Sequence, residues 1–191
     1  KLTFTIFASV LSANFLIIIF SNIADKELAS DLLIYLRILS LPISILAIPA
    51  SQIFANELLK SNEKAGTLKI YFLTFFVIIA LYNSFILVLP EYFFAILGIE
   101  KIILDIFFIA LLIAIGFRSI VSPLTSGFNV LNKNLFFLLI QSVQLIGIIC
   151  MYYFSSFFYD YYLISIGYAL ITIIYCSMTI ILLNKFVKRN P

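Results

Sequence analysis

The sequence predicts an all-α polytopic membrane protein with six transmembrane helices, and three observations carry that reading. It is 64% hydrophobic and 11% charged, with a mean hydropathy of +1.19, whereas soluble domains carry about 25% charged residues. The apolar residues fall into runs at 2–23, 33–59, 68–89, 102–131, 135–154 and 163–183. Each is long enough to cross a hydrocarbon core of about 30 Å, which takes about 20 residues of helix. The basic residues between the runs also alternate by side. Lys1, Lys60, Lys64, Lys69, Lys133, Lys185, Lys188 and Arg189 fall on one side, and Lys26 and Lys101 on the other. That excess orients both termini toward the cytoplasm, as an even number of spans requires.

Composition also excludes several functions. The net charge of +3 comes without a basic run interleaved with aromatics, so nucleic acid is not an expected partner. There is no histidine, which removes imidazole metal sites and Ser–His or Cys–His nucleophilic pairs. Cys150 and Cys176 fall inside spans with no ligand-like spacing and read as small apolar filler. No cofactor or metal is called for, and an enzyme is the weakest reading. The chain begins at Lys1, with neither an initiator Met nor a cleavable signal pattern, and is expected to be a fragment of a longer protein.

In the first span, Asn14 lies near the centre, where an amide either bonds across to another helix or lines a cavity. A short acidic break at 22–31 leads to the second span, which the rest of the chain frames. It carries Arg37, Pro42 and Pro49, and at helical steps Arg37, Ser40, Ser44, Ala47 and Ser51 share one face, with Gln52 and Asn56 beside it. Serines at that spacing read as a close helix–helix seam. A guanidinium facing lipid costs about 2.5–3.5 kcal/mol on insertion scales, so Arg37 reads as facing a cavity, or as pairing with Asp31. Each proline removes a backbone donor and clashes one turn back, so both are expected bends.

The polar loop 60–66 precedes the third span, interrupted mainly by Asn83, and 90–101 reads as an interfacial turn with aromatic anchors. The fourth span holds Arg118 and Pro123, with Ser122, Ser126 and Asn129 recurring on the Arg118 face and Pro123 the natural kink. Arg118 and Pro123 are spaced as Arg37 and Pro42 are. After the turn 132–134, Gln141 and Gln144 share a face of the fifth span, and glutamines in lipid need partners. The tyrosine-rich run 152–162 reads as an aromatic belt at the membrane boundary.

No carboxylate lies deep in a span, and the intramembrane acid that proton or sodium relays generally use is therefore missing. What is buried is two arginines and a set of neutral amides. Arg118 either snorkels to the headgroups or, with Arg37, lines a water-filled cavity suited to an anion, for which the planar guanidinium fork is a fit for phosphate.

Two stretches carry a family resemblance. YLRILSLPISILAIPASQIFANEL, residues 35–58, resembles the helix that opens the second half of polysaccharide flippases, with Ser12, Ala13 and Asn14 fitting the span before it. LGIEKIILDIFFIALLIAIGFRSIVSPLTSGFNVLNKN, residues 97–134, resembles that family's Gly-containing turn, long helix and Arg followed by Ser-Pro-Leu, though without the family's usual Trp. The family belongs to the multidrug/oligosaccharidyl-lipid/polysaccharide exporter superfamily. The resemblance implies that residues 1–191 form one six-helix lobe of a twelve-helix, two-lobe exporter in the bacterial inner membrane. Such an exporter flips lipid-linked oligosaccharide by alternating access for surface polysaccharide such as O-antigen and lipopolysaccharide. The expected partners are membrane lipids, the lipid-linked oligosaccharide, and the absent N-terminal lobe or a homodimer copy. Arg37 and Arg118 would attract the pyrophosphate or acidic sugars, Asn14, Gln52 and Gln141 would bond the glycan, and Pro42, Pro49 and Pro123 would act as hinges. The rivals are a small-molecule or drug exporter of the same superfamily and a non-transporting scaffold of a glycan-assembly complex.

Overall fold

The computed structural model describes residues 26–89, 92, 106–158 and 161–189, and these are helical almost throughout, with no strand among them. The elements are α1 (Lys26–Leu39), α2 (Leu41–Lys60), α3 (Lys64–Val88), α4 (Ile106–Val121), a 3₁₀ turn (Ser122–Thr125), α5 (Ser126–Val130), α6 (Asn134–Phe158) and α7 (Tyr161–Arg189). Among the described residues, four helical stretches are long and apolar enough to cross a membrane: Lys64–Val88, Ile106–Val130, Asn134–Phe154 and Tyr162–Lys188. They match the third to sixth expected spans and give the chain the character of a multi-pass membrane protein. The first expected span and the interfacial turn, apart from an exposed helical Tyr92, lie outside the described residues.

The second expected span differs from the continuous helix read from its sequence. Its helix starts earlier, at Lys26, and breaks at Ser40 into α1 and α2, neither of which is among the four membrane-length helices. Pro42 has no N–H to give to the Ile38 carbonyl four residues back, and proline disfavours helical backbone at the residue before it. The break is stitched by other donors. The Ser40 amide donates to the Leu36 carbonyl at 3.0 Å and its hydroxyl to the Arg37 carbonyl at 3.0 Å. The Ile38 carbonyl itself receives the Tyr82 hydroxyl from α3 at 2.8 Å.

α4 is the central helix. Its most apolar window, continued through the 3₁₀ turn, is 67% buried, against 17% for α3 and 22% for α6, whose outer faces are left for lipid. α4 packs most extensively on α7, which also packs on α6, while α2 lies across the 3₁₀ turn and α5. Small residues allow these approaches. A Cβ on Gly127 would meet Leu183 at 3.0 Å and Phe54 at 3.2 Å, and one on Gly116 would meet the Asn83 amide at 2.5 Å. The apolar core of the described residues divides into a small cluster of Phe75, Ile79 and Ile120 and two larger ones. One gathers Tyr35, Phe107, Phe108 and Ile164, the other Phe54, Leu58, Phe128 and Leu183.

The two described polar turns, α2–α3 and α5–α6, are short and internally bonded. In the α2–α3 loop the Ser61 hydroxyl accepts from the Glu63 amide and the Thr67 hydroxyl, each at 3.0 Å. In the α5–α6 turn Asn132 takes the left-handed conformation, φ 56°, and the Lys133 amide returns to the Phe128 carbonyl at 2.7 Å. Asparagine tolerates that conformation, which closes the preceding helix as a C-terminal cap does.

Candidate functional site

Between α4, the 3₁₀ turn, α6 and α7 lies a cavity of about 60 Å³ lined by Arg118, Ser122, Thr125, Phe137, Gln141, Gln144 and Tyr175. The elements explain the grouping. Arg118 and Ser122 are four residues apart at the C-terminal end of α4, where the helix dipole favours a cation. Gln141 and Gln144 are three apart on the inner face of α6, and Tyr175 faces them from the middle of α7.

The polar groups are only partly matched to one another. Gln141 and Gln144 are 3% and 4% exposed, so their amides are out of reach of lipid and bulk water alike. The Gln141 side chain hydrogen-bonds the Tyr175 hydroxyl, but its Oε1 has no partner, and Gln144 Nε2 has none either. Leaving a buried polar group unpaired costs about 1–3 kcal/mol. Arg118 is half-buried, and its charge acts on Tyr175 and Cys176. Among the described residues no carboxylate lines the cavity to neutralise it. The site therefore offers a guanidinium, one free amide donor and one free carbonyl acceptor. Donor and cation together suit an anion, and the free acceptor suits a hydroxyl beside it. With one water needing about 10–15 Å³ of such cavity space, a volume of about 60 Å³ has room for several waters and so for a small polar group. Gln144 and Tyr175 also wall a neighbouring apolar groove of about 170 Å³ between α6 and α7, lined by Ile140, Val143, Ile171 and Met178 among others.

Of the residues singled out from sequence, Arg118 and Gln141 come together here. Arg37 and Gln52 do not join them. Arg37 is exposed in the last turn of α1, and Gln52 is exposed on α2. Asn14 lies outside the described residues. Pro42 sits in the first turn of α2, Pro49 lies exposed within that helix without breaking it, and Pro123 is buried in the 3₁₀ turn. The hydroxyls of the second and fourth expected spans divide. Ser51 donates to the Ile48 carbonyl at 2.8 Å, and the Ser126 hydroxyl lies 3.0 Å from both the Ser51 and Pro123 carbonyls, tying α5 to α2. Ser122 lines the cavity instead.

Tyr175, Thr125 and Phe137 are lining residues that the sequence did not single out, while Gln144 was paired in the sequence with Gln141 without being assigned to the site. Tyr175 had a usable signal. It is far from either aromatic belt, and a phenol in mid-span needs a polar partner. Among the described residues no group of histidine, cysteine, aspartate and glutamate side chains is placed to hold a metal ion. Comparison with protein families, with curated proteins and with solved structures finds no match.

Proposed function

We propose that the chain is a six-helix lobe of a polysaccharide flippase, which moves lipid-linked oligosaccharide across the bacterial inner membrane with both termini in the cytoplasm. The observation that carries this reading is Arg118 in a polar cavity with two incompletely bonded glutamines and, among the described residues, no acid. A glycosyl phosphate supplies an anion and a neighbouring hydroxyl, the two chemistries the cavity leaves unmatched. The sequence resemblance at residues 35–58 and 97–134 points the same way.

The polar groups left on the outside support a second lobe or a second copy. Arg37 on α1 and Gln52 and Asn56 on α2 are exposed, the latter two among exposed isoleucines at 45, 48 and 53. Charges and amides do not face hydrocarbon without a partner, and an opposing lobe across a wet cleft provides one. Glycan would then lie in the cleft, with Gln52 within its walls, and the anion in the Arg118 cavity. Flexing at Pro42, Pro49 and Pro123 would let the lobes rock.

The test compares Arg118→Lys, Arg118→Gln and Arg118→Leu for surface polysaccharide at matched expression. The account expects the Lys variant to retain part of the export and the two neutral variants to lose most of it. Export unchanged in the Leu variant contradicts a cargo role for Arg118.

A further inference from the structure

A second and larger cavity, about 420 Å³, opens where the start of α3 meets the end of α7. Its lining separates by chemistry. Lys69, Lys188 and Asn184 are exposed and mark the mouth, while Leu68, Phe72, Leu124 and Ile180 are buried or half-buried and form the floor. Leu68 and Leu124 are buried, at 5% and 1% exposure, so the floor is closed by the core of the bundle. Glu63 is the one carboxylate among the lining residues, and it folds back over the first turn of α3, where a Cβ on Gly66 would meet it at 3.2 Å. Two ammonium groups against one carboxylate leave the mouth positive.

The position of this cavity along the membrane matters as much as its charge. Lys69 lies near the beginning of the membrane-length stretch Lys64–Val88, and Lys188 ends the stretch Tyr162–Lys188. Both therefore stand at one boundary of the hydrocarbon region, on the side where the sequence concentrates its lysines. From there the apolar track continues inward along α3. Phe76 stacks on Phe72 one turn deeper, with ring centroids 6.3 Å apart, and is 47% exposed. A cationic rim at headgroup depth above an apolar track running toward the bilayer centre has the shape of an amphiphile with an anionic head.

We propose that this cavity binds an anionic phospholipid from the lysine-rich leaflet, its phosphate between Lys69 and Lys188 and one acyl chain along Phe72 and Phe76. The site is separate from the Arg118 cavity, shares no lining residue with it, and does not depend on the cargo. Its occupant would brace α3 against α7, two helices that otherwise meet over a limited contact.

Native mass spectrometry of the purified protein with added lipid tests the proposal. Phosphatidylglycerol is expected to be retained about tenfold better than phosphatidylethanolamine, since each lysine near a membrane surface contributes a several-fold preference for negative lipid. The Lys69→Gln/Lys188→Gln double variant should bring that ratio close to one, while Lys133→Gln, outside the cavity, should leave it unchanged. Equal retention of the two lipids by the parent protein overturns the proposal, as does a preference that survives the double variant. Displacement of the lipid by millimolar inorganic phosphate would also overturn it, by showing a free-anion site in place of a lipid site.

Discussion

Gln144 and Thr172 are buried to a similar degree, at 4% and 0% exposure, and each leaves a polar atom without a partner. Their surroundings set them apart. Gln144 Nε2 belongs to a residue lining the Arg118 cavity, whereas Thr172 lines none of the three cavities described. An unpaired buried group costs about 1–3 kcal/mol, so replacing either by an apolar residue of similar shape removes a penalty. Both Gln144→Met and Thr172→Val are therefore expected to raise resistance to denaturation by roughly 1 kcal/mol or more. Only Gln144→Met is expected to lower export, because only there does the unpaired group serve a ligand. A detergent-titration unfolding curve alongside an export assay separates the two effects. A Gln144→Met protein that is both more stable and fully active would show that the amide is an unused relic of packing.

At the scale of elements, the break between α1 and α2 shows what a sequence carries and what it withholds. Pro42 announces a disturbance, and the freed Ile38 carbonyl follows from its missing N–H. Nothing local says that Tyr82, 44 residues on in α3, supplies the replacement donor at 2.8 Å. Removing that hydroxyl in Tyr82→Phe is expected to destabilise the bundle by about 1 kcal/mol. Pro42→Ala, which restores a backbone donor, should make the same Tyr82 change nearly silent, and the double-mutant cycle measures the coupling directly. Additive effects would mean that the tyrosine and the proline do not share the carbonyl. The long spans were legible for the opposite reason. In α3, α4, α6 and α7 nearly every position is apolar, so length and hydropathy locate them within a few residues, with ends at the polar turns 60–66 and 132–134. The same uniformity hides their faces. α3 is hydrophobic all round, and only the structure shows that Phe75, Ile79 and Ile86 turn inward while Leu73, Leu81 and Val88 face out. The candidate site was half legible on the same grounds. Arg118 and Gln141 stand out because charge and amide are expensive in lipid, but Tyr175 and Thr125 belong to types common in any membrane helix.

For the whole molecule, the proposed function requires the Arg118 cavity to be a wet, anion-seeking recess facing the path of a cargo. A sealed packing seam makes different predictions about access, and Ser122, which lines the cavity, is placed to tell them apart. A cysteine there in the Cys150→Ala background, which removes the exposed native thiol, can be challenged in intact membranes with thiol reagents of opposite charge. Ser122→Cys is expected to react, a sulfonate reagent several-fold faster than a quaternary ammonium reagent of similar size, and adding Arg118→Gln is expected to abolish the difference. Failure to react with either reagent, from either side of the membrane, would contradict the proposed function and leave a scaffold of packed helices as the better description.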